Sequence, residues 1–203
     1  MYSQRDEEVY IKRYWGDKSD GRFLDIGAYD GEVFSNTRML VEQGWSGVFV
    51  EPSPSVHGIL EQRYGRDVRF RIVKVGLGLH KGVFPFYDFS GDAVSSFDPT
   101  HAELWKEKGK RIPVMLNIPV ITWEELLADV GRDFDFINID AEAWSVDLIE
   151  AMPFKSLTKL KMICVEFDRK EGRVLRAVQP HGFELIHKTP ENMLLVKNRK
   201  ESL

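Results

Sequence analysis

The residues with the most chemical potential are acids that close apolar runs. Arg22-Phe23-Leu24-Asp25, Ser46-Gly47-Val48-Phe49-Val50-Glu51, Phe134-Asp135-Phe136-Ile137-Asn138-Ile139-Asp140 and Lys161-Met162-Ile163-Cys164-Val165-Glu166 each end in this way. In open α/β sheets ligands gather outside the carboxyl ends of the strands, so four such acids predict one shared acidic rim. Two ends carry a second acid, Glu142 after Asp140 and Asp168 after Glu166. Crowded carboxylates raise one another's pKa, and one of them could then act as a general base. The same cluster could hold Mg²⁺, a hard cation that prefers oxygen, although a base is the favoured reading and no metal ligand is assigned. His101, after the loop Gly91-Asp92-Ala93-Val94-Ser95-Ser96-Phe97-Asp98, is a third candidate base. Plainer roles compete: Glu166 and Asp168 could pair with Arg169, Lys170 or Arg173, and Glu142 could cap a helix.

The turn Asp25-Ile26-Gly27-Ala28-Tyr29-Asp30-Gly31 follows the first of these runs. Gly27 permits a tight turn and close backbone approach, and Gly31 lets a helix pack near a ligand. Glu51 follows at the distance where an acid bonds a ribose diol, about 20 residues on. Glycines after a strand often serve only the turn, but with Glu51 added a nucleoside becomes the favoured ligand. The dinucleotide fingerprint is absent, because Tyr29 stands where its second glycine would be. Asp25 and Asp30 would also repel a pyrophosphate. S-adenosylmethionine (SAM) has no phosphate, and its sulfonium and ammonium suit an acidic turn.

These residues need a scaffold of alternating strands and helices. A short helix ends over Tyr10 to Trp15. Strands are expected over Arg22 to Gly27, Ser46 to Val50, Arg69 to Val75, Phe134 to Ile139 and Lys161 to Val165. Helical segments are expected over Phe34 to Gln43, from Pro54 behind the N-cap Ser53 to Tyr64, over His101 to Lys108, Ser145 to Met152 and Gly172 to Val178. Thr122 and Glu125 form a capping box. Val83 to Tyr87 and Asn117 to Ile121 read as further strands. Phe183 to His187 and Met193 to Lys197 read as a closing antiparallel pair. The order argues a mainly parallel sheet covered on both faces. One domain over residues 1–203 is expected, with residues 1–20 as an N-terminal helical extension and 88–110 as a lid or acceptor loop. That loop offers Ser95, Ser96, Phe97, Asp92 and Asp98. Trp105, Trp123 and Trp144 could stack on a sugar, though a lone tryptophan is more often core. His57, His181 and His187 read as residues without chemistry, His57 at the surface.

Composition narrows the classes. The chain has 203 residues, 43% hydrophobic and 30% charged, which is a globular balance. A net charge of -4 argues against a broad nucleic-acid surface, and the basic Lys197-Asn198-Arg199-Lys200 reads as solvated. The one cysteine, Cys164, lies in an apolar run and reads as buried. The polar start Met1 to Glu8 is unlike a signal peptide, and no apolar stretch reaches membrane-spanning length, so a cytoplasmic location is expected and no membrane partner.

The glycine turn, followed by Phe34-Ser35-Asn36-Thr37, Gly44-Trp45-Ser46-Gly47 and Val50-Glu51-Pro52-Ser53-Pro54, resembles the FkbM family of SAM-dependent methyltransferases. So do Ile118-Pro119-Val120-Ile121-Thr122-Trp123-Glu124-Glu125-Leu126-Leu127 and Asp135-Phe136-Ile137-Asn138-Ile139-Asp140-Ala141-Glu142. The likeness runs from Arg22 to Phe167, and the order and spacing of the blocks are more specific than the turn alone. It implies a Rossmann-like class I methyltransferase fold, with a seven-stranded mainly parallel sheet, an antiparallel last strand and helices on both faces. It also implies O-methylation of a hydroxyl on a sugar, glycan or small natural product. Residue by residue, Asp25, Gly27 and Gly31 would line the methionine end of SAM, with Ala28 also in the cofactor site. Glu51 would hold the ribose, Gly76 and Leu77 would lie beneath the adenine, and Asp140 would sit near the methyl group. Ser35, Asn36, Pro52 and Ser53 complete the implied cofactor site, and Asp140, Glu142 and His101 the catalytic set. Members commonly carry Glu-Gly after this aspartate, and Ala143 replaces the glycine here. Where members often have lysine before the Ile-Asp pair, this chain has Asn138. Competing readings are methylation of a nucleic acid or protein, a nicotinamide oxidoreductase, and a non-catalytic nucleotide-binding module. Nothing in the sequence indicates an oligomeric state.

Overall fold

Residues 1–198 are described by a computed structural model of the chain. Arg199 and Lys200 of the basic C-terminal stretch lie outside the described residues. The elements run α1 (Glu7–Trp15), β1 (Arg22–Ile26), α2 (Arg38–Glu42), β2 (Ser46–Val50), α3 (Pro54–Tyr64), β3 (Phe70–Val73), β4 (Gly76–Leu77), β5 (Gly82–Asp88), α4 (Pro99–Glu107), β6 (Val114–Ile121), α5 (Trp123–Val130), β7 (Phe136–Ile139), α6 (Ser145–Glu150), β8 (Met162–Glu166), α7 (Glu171–Val178), β9 (Phe183–Lys188) and β10 (Asn192–Lys197). Seven strands form one sheet in the order β3-β2-β1-β7-β8-β10-β9. The first five pair in parallel, and β10 runs antiparallel to both β8 and β9. This is the expected mixed α/β class, with helices on both faces.

Alternation along the strands feeds two cores, as parallel strands covered on both sides require. Leu24, Ile26, Ile137, Ile139, Ile163 and Val165 face α5, α6 and α7. Phe23, Phe49, Phe136 and Cys164 face α1, α2 and α3, packed on Ile11, Leu40, Leu60 and Tyr64. Asp25 and Asn138 share that second side, and their buried polar groups must find partners there. The capping box forms as expected, with Thr122 accepting from the Glu125 amide.

Some boundaries differ from the sequence reading. The helix expected from Phe34 starts at Arg38, because Phe34 takes a left-handed φ of 58°. Ser35 Oγ then accepts the amides of Thr37 and Arg38, a turn that competes with helix. The helix expected from His101 starts at Pro99, since Asp98 accepts the His101 amide and so caps it. β5 and β6 do not join the main sheet. They pair with β4 in a separate sheet of order β4-β6-β5, which brings Gly76 and Leu77 beside the carboxyl ends of β1 and β2. Among the described residues no helix is long and apolar enough to cross a membrane.

Candidate functional site

The site starts at the end of β1. Gly27 takes φ 76°, and a Cβ there would lie 1.6 Å from the Asp140 carbonyl oxygen. Only glycine lets this turn lie against the end of β7. Gly31, at φ 72°, is needed for packing: a Cβ would lie 2.5 Å from the Tyr64 ring. Tyr29 between them is left-handed at φ 51°, and its amide donates to Glu51 Oε2 at 2.7 Å. The Ser53 amide donates to Oε1 at 2.7 Å, so both oxygens of the buried Glu51 carboxylate are fixed. Burial pushes Glu51 up to about 8, opposed by the Ser53 and Tyr29 amides and reinforced by Asp25 and Asp88. His57 is half-buried rather than at the surface, with Nε2 at 2.8 Å from the Glu51 carbonyl oxygen.

Glu51, Gly27, Pro52, Ser53, Gly76 and Leu77 line one cleft that encloses about 560 Å³ of space, open solvent included. Phe97 and Trp144 close it, stacked at 4.7 Å and 14°. Gly76 makes room for them, since a Cβ there would lie 2.5 Å from the Phe97 ring. Among the described residues no Lys or Arg lines this cavity. A second cavity of about 1280 Å³ adjoins it and shares Gly27, Tyr29, Asp92, Asp140 and Glu142. Its own walls include Ala28, Ser35, Trp105, Asn138 and Glu166.

Three predicted cofactor residues line neither cavity. Gly31 packs on Tyr64, as above. Asp25 lies beneath the turn, accepting from Thr37 Oγ1 at 2.5 Å and Asn138 Nδ2 at 2.8 Å. Burial raises it to about 6, against those two hydrogen bonds. Asn36 is buried and donates to Asn138 Oδ1. Both therefore reach the cleft only through Asn138, whose position in an apolar strand masked its polar role.

The acid rim forms. Tyr29, Glu142 and Asp168 follow the ends of β1, β7 and β8, and all three are left-handed non-glycine residues, at φ 51°, 51° and 48°. Strained backbone of this kind is retained mainly at functional sites. Asp140, Glu142 and Glu166 all sit above the usual carboxylate range. Burial is the largest cause for each; a hydrogen bond with Glu166 opposes it at Asp140, where repulsion from Asp25 and Asp168 adds to it, and repulsion from Asp140 and Asp168 adds to it at Glu142 and Glu166. Glu166 accepts from Ser145 Oγ instead of pairing with a base, while Asp168 lies 3.6 Å from Lys170 and Arg173 pairs with Asp147 and Glu150.

His101 meets Glu142: Nε2 lies 3.2 Å from Oε2, without the alignment of a hydrogen bond. Burial lowers the imidazole pKa, against Asp168 and Asp98. Burial raises Glu142 as it lowers His101, so desolvation at both partners works against an ion pair here. His101 lines neither cavity, so it stands behind Glu142 rather than in the cleft. Nor do His181, stacked on Phe154, and His187, paired with Asp6. Trp123 belongs to the core, donating to the Leu148 carbonyl. Among the described residues no three His, Cys, Asp or Glu side chains converge to hold a metal ion.

The loop from Phe89 to Asp98 is tied over both cavities. Tyr29 Oη donates to the Gly91 carbonyl at 2.6 Å, Ser53 and Ser55 donate to Asp88, and Lys110 pairs with Asp92. Sequence reasoning missed Tyr29 as a site residue. Its signal was a bulky residue inside a turn that demands left-handed backbone.

Residues 25–185 match the sequence model described as the methyltransferase FkbM domain. No curated protein matches the chain. Among solved structures, methyltransferase FkbM from Methylobacillus flagellatus KT superposes with a TM-score of 0.58 at 14% identity, over 96% of this chain and 48% of that one. The putative methyltransferase yhhF from Escherichia coli gives 0.52 at 12% identity, over 97% and 89%. Precorrin-6y C5,15-methyltransferase from Geobacter metallireducens GS-15 gives 0.51 at 12%, over 94% and 87%. At such identities the likeness establishes the class I methyltransferase fold. This chain spans about half the length of the Methylobacillus protein.

Proposed function

Because the chain belongs to the FkbM methyltransferase family, we propose that this SAM-dependent methyltransferase methylates a hydroxyl oxygen of a sugar, glycan or small natural product. The observation that carries this is the meeting of two cavities at Gly27, Asp140 and Glu142. One has the features of a nucleoside site, and the other is open to a second substrate.

The lining of the smaller cavity supports SAM as its ligand. With Glu51, Asp92, Asp140 and Glu142 in its wall and no Lys or Arg, it is unfavourable to a pyrophosphate, which counts against a nicotinamide dinucleotide. Glu51, held by two backbone amides, has acceptor capacity left for a ribose diol. Phe97, Trp144, Gly76 and Leu77 form a flat apolar slot for the adenine. Ala28, Ser35 and Asn138 flank the methionine end, with Asp25, Gly31 and Asn36 supporting them from below.

When bound, SAM supplies an electrophilic methyl carbon and a positive charge that favours ionised carboxylates beside it. Asp140 orients that end of the site. Glu142 lines both cavities and takes the proton of the acceptor hydroxyl as its oxygen is methylated. The proton then leaves to solvent. The fixed loop from Phe89 to Asp98 keeps water off the reacting atoms.

The test is calorimetry followed by turnover. SAM should bind in the micromolar range, about -8 kcal/mol, and NAD should not. A panel of glycosides and small alcohols should then yield methyl ether and S-adenosylhomocysteine. Binding of NAD with a blank for SAM would overturn the cofactor reading, and methylation of nucleic acid or protein alone would overturn the acceptor reading.

A further inference from the structure

The open end of the larger cavity carries residues that the mechanism above does not use. Phe34 lines it while 54% exposed, in a left-handed backbone at φ 58°. A bulky aromatic residue gains nothing locally from either condition. Gln4 lines the same cavity, exposed, with its side-chain amide open to solvent and no hydrogen bond to another described residue.

These two residues are held in place from several directions. Ser3 pairs with Phe34 in an isolated β-bridge. The amides of Tyr2 and Ser3 both donate to Glu8 Oε2. Arg5 pairs with Glu191 at 3.3 Å, and Glu191 also lines the cavity. Glu7 is fully buried and accepts from Thr189 Oγ1, Asn192 Nδ2 and the Arg5 amide. The first residues of the chain are thereby fastened to the β9–β10 turn and to the lip of the cleft. Gln4 and Glu191 fall outside residues 25–185, so part of this wall lies beyond the matched family domain, whereas Phe34 lies within it.

The chemistry of the wall selects its ligand. A half-exposed phenyl face suits the C–H face of a sugar ring, and a free amide both gives and takes hydrogen bonds with hydroxyls. Asp92, Asp140, Glu142, Glu166 and Glu191 line the cavity against the single Lys110, which is itself paired with Asp92. A phosphorylated or carboxylated acceptor would meet no unpaired Lys or Arg among the lining residues. We propose that residues 1–6 and Phe34 form the acceptor-binding wall, and that it receives an uncharged polyhydroxylated molecule, with a ring face on Phe34 and a hydroxyl on Gln4. This rests on the methyl-transfer reading above.

The test uses the full chain, ¹⁵N-labelled and saturated with S-adenosylhomocysteine. Methyl glycosides of glucose, galactose, mannose, fucose and rhamnose are titrated at millimolar concentration, with glucose 1-phosphate as the anionic probe. At least one neutral glycoside should shift the Gln4 side-chain amide and the Phe34 backbone amide, and the phosphate should not. Phe34→Asn tolerates the left-handed backbone and should weaken that glycoside roughly tenfold. Gln4→Ala should weaken it less, and both variants should bind S-adenosylhomocysteine as the wild type does. Absence of shifts with all five glycosides, equal binding of glucose 1-phosphate, or an unchanged affinity in Phe34→Asn would each overturn the proposal. Failure of S-adenosylhomocysteine to bind would count against the cofactor reading instead, and the wall is then judged on the glycoside shifts alone.

Discussion

Glu51→Gln separates what the cofactor site demands from what folding prefers. Burial lifts the folded pKa of Glu51 from 4.5 to about 8, so its ionised form costs the folded state up to about 5 kcal/mol. Between those values the folded chain holds a proton that the unfolded chain has released, and stability is lost as pH rises through the window. From about pH 5.5 to about pH 7.5 the loss from this residue is about 2.5 kcal/mol. Glutamine removes that slope. It also turns an NH₂ toward one of the two amides, Tyr29 or Ser53, that now donate to the carboxylate. Leaving that donor unpaired costs about 1–3 kcal/mol. The variant should therefore gain about 2.5 kcal/mol on the wild type between about pH 5.5 and about pH 7.5, starting about 1–3 kcal/mol less stable and drawing level with it or passing it near the upper end. Urea unfolding of the ligand-free protein across this range measures it. The other raised carboxylates are present in both proteins and cancel to first order. The same substitution should weaken SAM at least tenfold, because it replaces charge-assisted bonds worth about 1.5–3 kcal/mol each. Parallel pH curves with unchanged SAM affinity would refute the reasoning.

Glu142→Gln should retain SAM affinity and lose about 10²–10⁴-fold in turnover, assayed with a methylated acceptor. Wild-type turnover would show Glu142 to be only a loop residue, and activity lost to a chelator and restored by Mg²⁺ would point to a metal instead. Gly27→Ala should destabilise by roughly 2–5 kcal/mol, through its positive φ and the overlap with the Asp140 carbonyl; an unchanged unfolding midpoint would contradict this close approach. Tyr29→Phe removes the bond to the Gly91 carbonyl and should cost about 1 kcal/mol, with faster hydrogen exchange in the loop from Phe89 to Asp98; unaltered exchange would show that the loop is held by other contacts.

Much of the scaffold was written locally. The run from Ser46 to Val50, the Ser53-Pro54 helix start and the Thr122–Glu125 capping box depend on neighbours within a few residues, and all appear where expected. The link between the glycine turn and Glu51 was also legible, because adjacent parallel strands β1 and β2 put their carboxyl ends side by side. The rest depends on groups far apart in the chain. Phe34 looked helical, yet the bridge from Ser3 and the Ser35 turn hold it out at the cleft. Asp25 looked like a ligand-facing acid, but the alternation of β1 turns it into the core, where Thr37 and Asn138 claim both oxygens. His101 and Glu142 are forty-one positions apart, and only the folding of α4 over the end of β7 brings them to 3.2 Å. Residue types and their periodicity determined the sheet and the acids at its rim. The proton affinities of those acids, and which of them face the cleft, were decided by tertiary structure, because desolvation and repulsion arise from chain segments that no local pattern encodes.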